Sequence, residues 1–249
     1  MIDLDKKIAI VTGGAQGIGA AFVRGLAKHG AKIMIADLVV ADKLIAELGA
    51  DKATSCICDI TDDAMLAAMV AQTRETFGPA TILVNNAAYF SQAETKMFDE
   101  LTNEDWDKNL TVNVRGLWQT SKAVVPDMAK AGGGSIINIG SGSAFTCPPG
   151  QIAYISAKGA VQAMTRAMAR ELGGQNIRVN VITPSLTKSE NVAKSPNWSQ
   201  FLDKAKANRV LSRDMLPDDL VGTMLHLASD NSGFVTGQTF NVDGGLYFY

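Results

Sequence analysis

The chain is poor in the residues that hold metals or cross-link a fold. Histidine occurs twice, at His29 and His226, far from each other and from the motifs described below, so no catalytic metal is expected. Cysteine occurs three times, at Cys56, Cys58 and Cys147. Their spacing is not that of a zinc site, and three thiols are too few for a disulfide framework. Cys56 and Cys58 alternate along an expected strand and read as small core residues. An excess of one charge is lacking too: a net charge of -2 leaves no basic face for nucleic acid. No apolar run approaches the ~20 residues that span a bilayer, and residues 1–7 lack the apolar core of a signal peptide. Neither a nucleic-acid nor a membrane partner is expected, and the expected location is cytoplasmic.

What the chain does have is an alternation of strand-like and helix-like runs. No linker, internal repeat or low-complexity stretch interrupts its 249 residues. That fits one α/β domain over 1–249, a doubly wound parallel sheet with helices on both faces. Lys7-Ile8-Ala9-Ile10-Val11 is short, β-branched and almost wholly apolar, as a parallel strand covered on both faces requires. It runs into Thr12-Gly13-Gly14-Ala15-Gln16-Gly17-Ile18-Gly19. A helical pattern follows in Phe22, Val23, Leu26 and Ala27, with Gly30 as a stop. A second strand-like run, Lys32-Ile33-Met34-Ile35-Ala36, ends in Asp37.

Strand, glycine-rich turn, helix, strand and acid together form a βαβ unit of dinucleotide-binding type. Gly13 allows the tight turn out of the strand, Gly17 lets a pyrophosphate approach the helix amides, and Gly19 lets the helix pack close to the sheet. Asp37 selects the cofactor. A carboxylate there accepts hydrogen bonds from ribose hydroxyls and repels a 2′-phosphate. Leu38-Val39-Val40-Ala41 and the loop residues Ala15 and Gln16 supply no base to receive such a phosphate, so NAD is expected over NADP.

The second signal is Tyr154 and Lys158, a Y-x-x-x-K pair opening a long Ala-rich segment, with Ser141 thirteen residues upstream of the tyrosine. If residues 154–172 are helical, the pair shares one face, about 6 Å apart. An ammonium held there favours phenolate over phenol, so a tyrosine of ordinary pKa about 10 could exchange a proton nearer neutrality. A serine hydroxyl from a neighbouring strand end could hold the oxygen being protonated. By itself Y-x-x-x-K is as often a surface pair; its weight comes from the company it keeps.

In order and spacing, Thr12-Gly13 to Gly19, Asp59, Asn85-Asn86-Ala87-Ala88, Asn113, Ser141, Tyr154, Lys158 and the run from Phe234 to Gly245 resemble the short-chain dehydrogenase/reductase family over essentially the whole chain. The resemblance implies a Rossmann fold and a Tyr general acid/base, Tyr154, at an alcohol or carbonyl oxygen. Lys158 would lower its pKa and hold the nicotinamide ribose, Ser141 would hydrogen-bond the substrate oxygen, and Asn113 would hold a water linking Lys158 to solvent. Gly13, Gln16, Gly17, Ile18 and Gly19 would form the cofactor loop. Asp59 and Ile60 would meet the adenine, Asn86 and Ala87 would line the cofactor, and Thr187 would contact the carboxamide. The chain departs from the family pattern twice. Ala88 stands for the usual glycine, and Pro184-Ser185 for the usual Pro-Gly.

Substrate-side segments are Tyr89-Phe90-Ser91, Gly142 to Gln151, and Ser185 to Arg213, the last an expected lid. Phe145, Cys147 and Leu186 are candidate substrate contacts beside Ser141 and Tyr154, while Lys188, Lys194 and Arg209 are candidate grips for an anionic group. A mostly apolar pocket with NAD points to a hydrophobic or aromatic secondary alcohol and its ketone. Likeness to pyridoxal 4-dehydrogenases around 189–201 and a 3-oxoacyl reductase activity are the alternatives, and a non-catalytic NAD sensor is a third, disfavoured because Ser141, Tyr154, Lys158 and Asn113 are all present. The resemblance also implies a homotetramer, built on apolar helices around 102–129 and 154–172 and on the C-terminal strand. Leu246-Tyr247-Phe248-Tyr249 would either enter that interface or fold back on their own subunit.

Overall fold

A computed structural model describes residues 2–90 and 94–248, with the side chain of Asn197 excepted. Ser91 and Tyr249, named above, lie outside the described residues, as does Met1. Among the described residues seven strands form one parallel sheet in the order β3-β2-β1-β4-β5-β6-β7. They are β1 (Ile8–Thr12), β2 (Lys32–Asp37), β3 (Ala53–Ile57), β4 (Ile82–Asn85), β5 (Gly134–Ile139), β6 (Ile177–Pro184) and β7 (Thr239–Val242). The order reverses between β1 and β4, which pair in register Ala9↔Ile82 to Thr12↔Asn85. At such a switch point the loops leaving the strands diverge to opposite faces and open a crevice.

Strand alternation fills both faces. Ala9 and Val11, Ile33 and Ile35, Ile82 and Val84, and Ile137 and Ile139 point into one core. Their neighbours Ile8 and Ile10, Met34 and Ala36, Leu83 and Ile136 point into the other. The first core is covered by α1 (Gly17–Lys28) and α11 (Val221–Ala228), which contribute Phe22, Leu26, Met224 and Leu227. The second is covered by α3 (Asp63–Thr76), α5 (Leu117–Lys130) and α7 (Ile152–Leu172), through Leu66, Met69, Val124, Met128 and Ala169. Each of these side chains is at least nine-tenths buried, and at roughly 1.5–3 kcal/mol per large apolar side chain they supply the main driving force for this architecture.

The sequence expectations differ from the structure in local detail. The Tyr–Lys helix begins at Ile152, two residues before Tyr154. The apolar helix expected around 102–129 is instead α4 (Asn103–Leu110), a π-helical turn over Thr111–Gly116, and α5. Cys58 lies just past the end of β3 and is buried, whereas Cys56 on β3 is half-buried. Burial raises their thiols to about 12 and about 11 respectively, which makes them unreactive core residues. The segment expected to form a lid holds three short helices, α8 (Glu190–Lys194), α9 (Pro196–Ser199) and α10 (Leu202–Ala207), and is tied back by a bridge between Thr187 and Met215. Two further α-helices are α2 (Asp42–Leu48) and α6 (Ser143–Thr146). At the C-terminus, Asp243 accepts hydrogen bonds from the backbone N–H groups of Gly245, Leu246 and Tyr247. That turn folds Leu246 and Tyr247 back onto their own subunit and leaves Phe248 exposed. Among the described residues no helix is long and apolar enough to cross a membrane.

Candidate active site

The glycine turn opens into the crevice. Gln16, the N-cap of α1, makes no side-chain capping bond, so the first-turn amides of α1 remain available to an anion. Gly17 sits at φ +57, and a side chain built on it would meet Ser189 of the lid segment. At Gly19 a Cβ would be driven into the Gly13 carbonyl, so only glycine lets α1 approach the turn this closely. The Asp37 carboxylate accepts from the Ala15 N–H at 2.9 Å, which fixes it at the rim of the same turn. Leu38, Val39 and Val40 beside it are exposed and uncharged. An uncapped helix start, a turn without side chains and a fixed carboxylate with no base nearby fit the pyrophosphate and ribose of a dinucleotide.

The end of β4 braces this turn. Asn86 Nδ2 donates to the carbonyls of Thr12 and Gly13 at 3.0 and 2.8 Å. Thr12 Oγ1 accepts from the N–H groups of Asn86 and Ala87 at 3.1 Å. The Asn86 side chain, expected to line the cofactor, is thus occupied in shaping the glycine turn. Thr12 does equal structural work that its place in the motif did not announce. Asp59 Oδ1 accepts from both the backbone and the hydroxyl of Thr61 at 2.8 Å, and Ile60 is buried against Gly116. Ala88, the first departure from the family pattern, is exposed, so its methyl displaces no packing.

Ser141, Tyr154 and Lys158 come together where β5 ends and α7 begins. The Ser141 side chain stands beside the Tyr154 phenol. Ser141 Oγ lies 2.8 Å from Ser143 Oγ and accepts from the Ser143 N–H at 3.2 Å, so Ser143 orients it. The sequence offered no sign of this beyond a second serine two residues on. One turn of α7 beyond the tyrosine, Lys158 is buried, with Nζ 5.7 Å from the Tyr154 ring centroid, and it donates to the Ile139 carbonyl at 2.7 Å. Burial pushes Lys158 down to about 8. Burial likewise pushes the phenol up to about 12, and the Ser141 hydrogen bond only partly opposes this. Tyr154 itself is only half-buried, and desolvation is the larger of the two influences on its phenol.

Asn113 lies on the π-helical turn, a form that recurs at functional sites. Its amide is fully engaged. Oδ1 accepts from the Tyr89 N–H at 3.0 Å, and Nδ2 donates to the Tyr89 carbonyl at 3.1 Å. The expected water bridge would therefore use the backbone of this turn, because the amide pins the loop after β4. Asn109, one turn earlier and buried, stands 3.4 Å from Asn113 Nδ2. The start of α4 is in turn fixed by Asp105, whose carboxyl is held down at about 2 by hydrogen bonds from Lys96 and Thr102.

Aromatic side chains cover the tyrosine. Phe90 packs on Tyr154 with centroids 4.9 Å apart, and Trp198 of α9 packs on Phe90 at 4.3 Å. These three rings, with Leu101, Asn109 and Gln151, line a small cavity. Phe145 and Cys147, expected at the substrate, are not among its lining residues. Phe145 stacks on Tyr247 at 5.0 Å, and Cys147 is exposed at the end of α6. Leu186 is half-buried and Thr187 buried, with Thr187 Oγ1 donating to the Ser185 carbonyl at 3.0 Å.

Of the three cations suggested as anion grips, two are engaged. Lys188 pairs with Asp214 at 2.7 Å, whereas Lys194 is largely exposed and comes only to 4.0 Å from Glu190. Arg209 is buried and donates to the Leu186 carbonyl at 2.6 Å, to Ser185 Oγ at 2.9 Å and to the Arg213 carbonyl at 3.0 Å. The second departure, Ser185, thus serves as a hydrogen-bond partner for Arg209.

A parallel sheet with a dinucleotide crevice at its switch point, and a Ser–Tyr–Lys cluster beside it, defines a nicotinamide-dependent oxidoreductase. Residues 13–247 match the family described as enoyl-(acyl carrier protein) reductase. Relatives include the probable galactose dehydrogenase of Rhizobium meliloti strain 1021, 34% identical over 98% of this chain and 96% of that protein. The 3-oxoacyl-[acyl-carrier-protein] reductase of Thermotoga maritima is 33% identical over 98% of both chains. The D-threitol dehydrogenase of Mycolicibacterium smegmatis is 35% identical over 97% of this chain and 93% of its own. The chain belongs to the short-chain dehydrogenase/reductase family.

Proposed function

We propose that the protein is an NAD-dependent alcohol dehydrogenase acting on an uncharged secondary alcohol with a hydrophobic or aromatic body, or on its ketone. The observation that carries this is the grouping of Tyr154 with Ser141 beside its phenol and Lys158 one turn away, at the wall of a small cavity also lined by Phe90 and Trp198. When bound, the nicotinamide supplies the hydride chemistry. In oxidation Ser141 holds the carbinol oxygen and Tyr154 takes its proton. In reduction Tyr154 returns that proton to the carbonyl oxygen. Lys158, buried and charged below about pH 8, stabilises the phenolate that oxidation requires. Asp37 supports NAD over NADP, because its fixed carboxylate stands where a 2′-phosphate would come. Dehydrogenation is favoured by relatives named for galactose and threitol oxidation. The 3-oxoacyl reductase relative keeps a reductase as the second reading.

We also propose a homotetramer, since Trp118, Phe234 and Phe248 are exposed and such groups are often covered by a second copy. The deciding experiment measures NADH and NADPH formation over a panel of secondary alcohols, sugars, pyridoxine-type alcohols and hydroxyacids, and the reverse reaction on 3-oxoacyl thioesters. Turnover of neutral carbinols with NAD is the expected result. Activity confined to NADP, or to thioester reduction, would overturn it.

A further inference from the structure

Two asparagines interrupt an apolar face of the sheet. Asn85 ends β4 and Asn138 lies opposite it on β5, both on the face that Leu83 and Ile136 make apolar. Both are buried, and a buried amide is costly unless it is hydrogen-bonded. Their partners are hydroxyls of the covering helices. Asn85 Nδ2 donates to Ser121 Oγ of α5 and to Asn138 Oδ1, each at 2.9 Å. Asn138 Nδ2 donates to Thr165 Oγ1 of α7 at 2.9 Å. Both hydroxyls are themselves buried and donate to the carbonyl one turn back, Ser121 to Leu117 and Thr165 to Val161. Each hydroxyl can therefore only accept from its asparagine, and the four side chains form one directed chain of hydrogen bonds.

The α7 end of this chain lies beside the proton-transfer group. Thr165 is two turns beyond Lys158 on the same helix face. The residue after Asn138 is Ile139, whose carbonyl holds the Lys158 ammonium. Helix α7 is thus pinned to β5 at two successive strand residues, by Thr165 to Asn138 and by Lys158 to Ile139. Ser141 follows just past the end of β5, and Tyr154 lies one turn before Lys158. Apolar packing is non-directional and tolerates a small slide of helix along strand. A buried hydrogen bond does not, because breaking it strands a desolvated amide.

We propose that Asn138 and Thr165 are positioning residues for the proton transfer. Their hydrogen bond fixes how far α7 lies along β5, and with it the placement of Tyr154 and Lys158 against Ser141. This rests on the assignment of Tyr154 as the proton-transfer residue.

The test compares the two ends of the chain. Thr165→Val keeps the shape of the side chain without its hydroxyl, whereas Ser121→Ala breaks the α5 end and leaves the α7 anchor in place. Thr165→Val should lower kcat about 10–100-fold, the effect of catalytic groups about 1 Å out of place, with KM and NADH affinity within about twofold of wild type. Thr165→Ser should restore kcat, and Ser121→Ala should keep it although it too removes a buried hydrogen bond. A second readout needs no turnover. Urea unfolding at about pH 7 and about pH 9.5 reports the burial of Lys158. The rise of stability across that range should flatten in Thr165→Val and persist in Ser121→Ala. Should Thr165→Val fail to fold, the Asn138→Leu/Thr165→Val double variant removes the bond without stranding an amide and carries the same expectations. Equal kcat losses in Thr165→Val and Ser121→Ala, or a kcat and a pH profile both unchanged in Thr165→Val, would overturn the proposal. A flattened profile in Thr165→Val with no alcohol turnover by wild type would count against the assigned reaction and leave the positioning pair standing.

Discussion

Replacing Lys158 by Met should change how stability responds to pH, by an amount set by burial. The unfolded chain holds this lysine's proton up to about pH 10.4, whereas the folded protein releases it near 8. Between those values the unfolded state binds a proton that the native state does not, so stability rises with pH. The stabilisation is complete above the unfolded pKa and is lost as pH falls through 8. Across the full interval it amounts to about 3 kcal/mol, of which about 2 kcal/mol falls between pH 7 and 9.5. Met fills a similar volume and cannot titrate. Losing the bond to the Ile139 carbonyl shifts the variant by a similar amount at each pH and leaves the slope as the signal.

Tyr154, raised to about 12, acts in the opposite sense. Its contribution is present below pH 10 and is lost as pH rises toward 12, so the experiment stops short of that range. The raised thiols of Cys56 and Cys58 begin to subtract near pH 9 in both proteins and cancel in the comparison. Urea unfolding at several pH values and one protein concentration gives the two profiles. Their difference should grow by about 2 kcal/mol in favour of wild type between pH 7 and 9.5. Parallel profiles would mean that Lys158 titrates in the folded protein as it does in water, and would refute its description as a desolvated base.

Two further substitutions test the parts around this centre. Gly19→Ala places a methyl against the Gly13 carbonyl. It should weaken NAD binding at least about tenfold, about 1.4 kcal/mol, by fluorescence titration with NADH; unchanged affinity would mean that the turn yields freely. Ser143→Ala removes the hydroxyl that orients Ser141. It should lower kcat by about 2–10-fold, the worth of one hydrogen bond, with KM nearly constant and with recovery in Ser143→Thr. A fall in NAD affinity instead would show that the loop itself had moved.

The strands were legible because they are covered on both faces. Behind their leading lysines, Lys7 to Val11 and Lys32 to Ala36 are continuous apolar runs, and only their ends shift by a residue in the structure. The placement of Asp37 at a strand tip and of Tyr154 and Lys158 on one helix face was legible because it depends on local spacing alone. What escaped the sequence depends on contacts between distant segments. The π-helical turn at Thr111–Gly116 is set by Asn113 gripping the Tyr89 peptide and by Gly116 meeting Ile60, and no local pattern encodes either. Asn86 and Thr12 hold the glycine turn across 74 positions of sequence. Arg209 reads as a free cation in the sequence, and its engagement with Leu186 and Ser185 depends on a contact across more than twenty residues. Helix spacing likewise gives the proximity of Lys158 to Tyr154, whereas the packing of Phe90 on the tyrosine ring comes from a distant segment.

The central claim is that Tyr154 transfers the proton while other parts of the protein bind the dinucleotide. Tyr154→Phe removes one oxygen and keeps the ring that packs on Phe90. Turnover of the best alcohol with NAD should fall by about 10²–10⁴-fold, the usual worth of general acid–base catalysis, while NADH affinity stays within about twofold of wild type. Turnover retained in the variant would contradict the account.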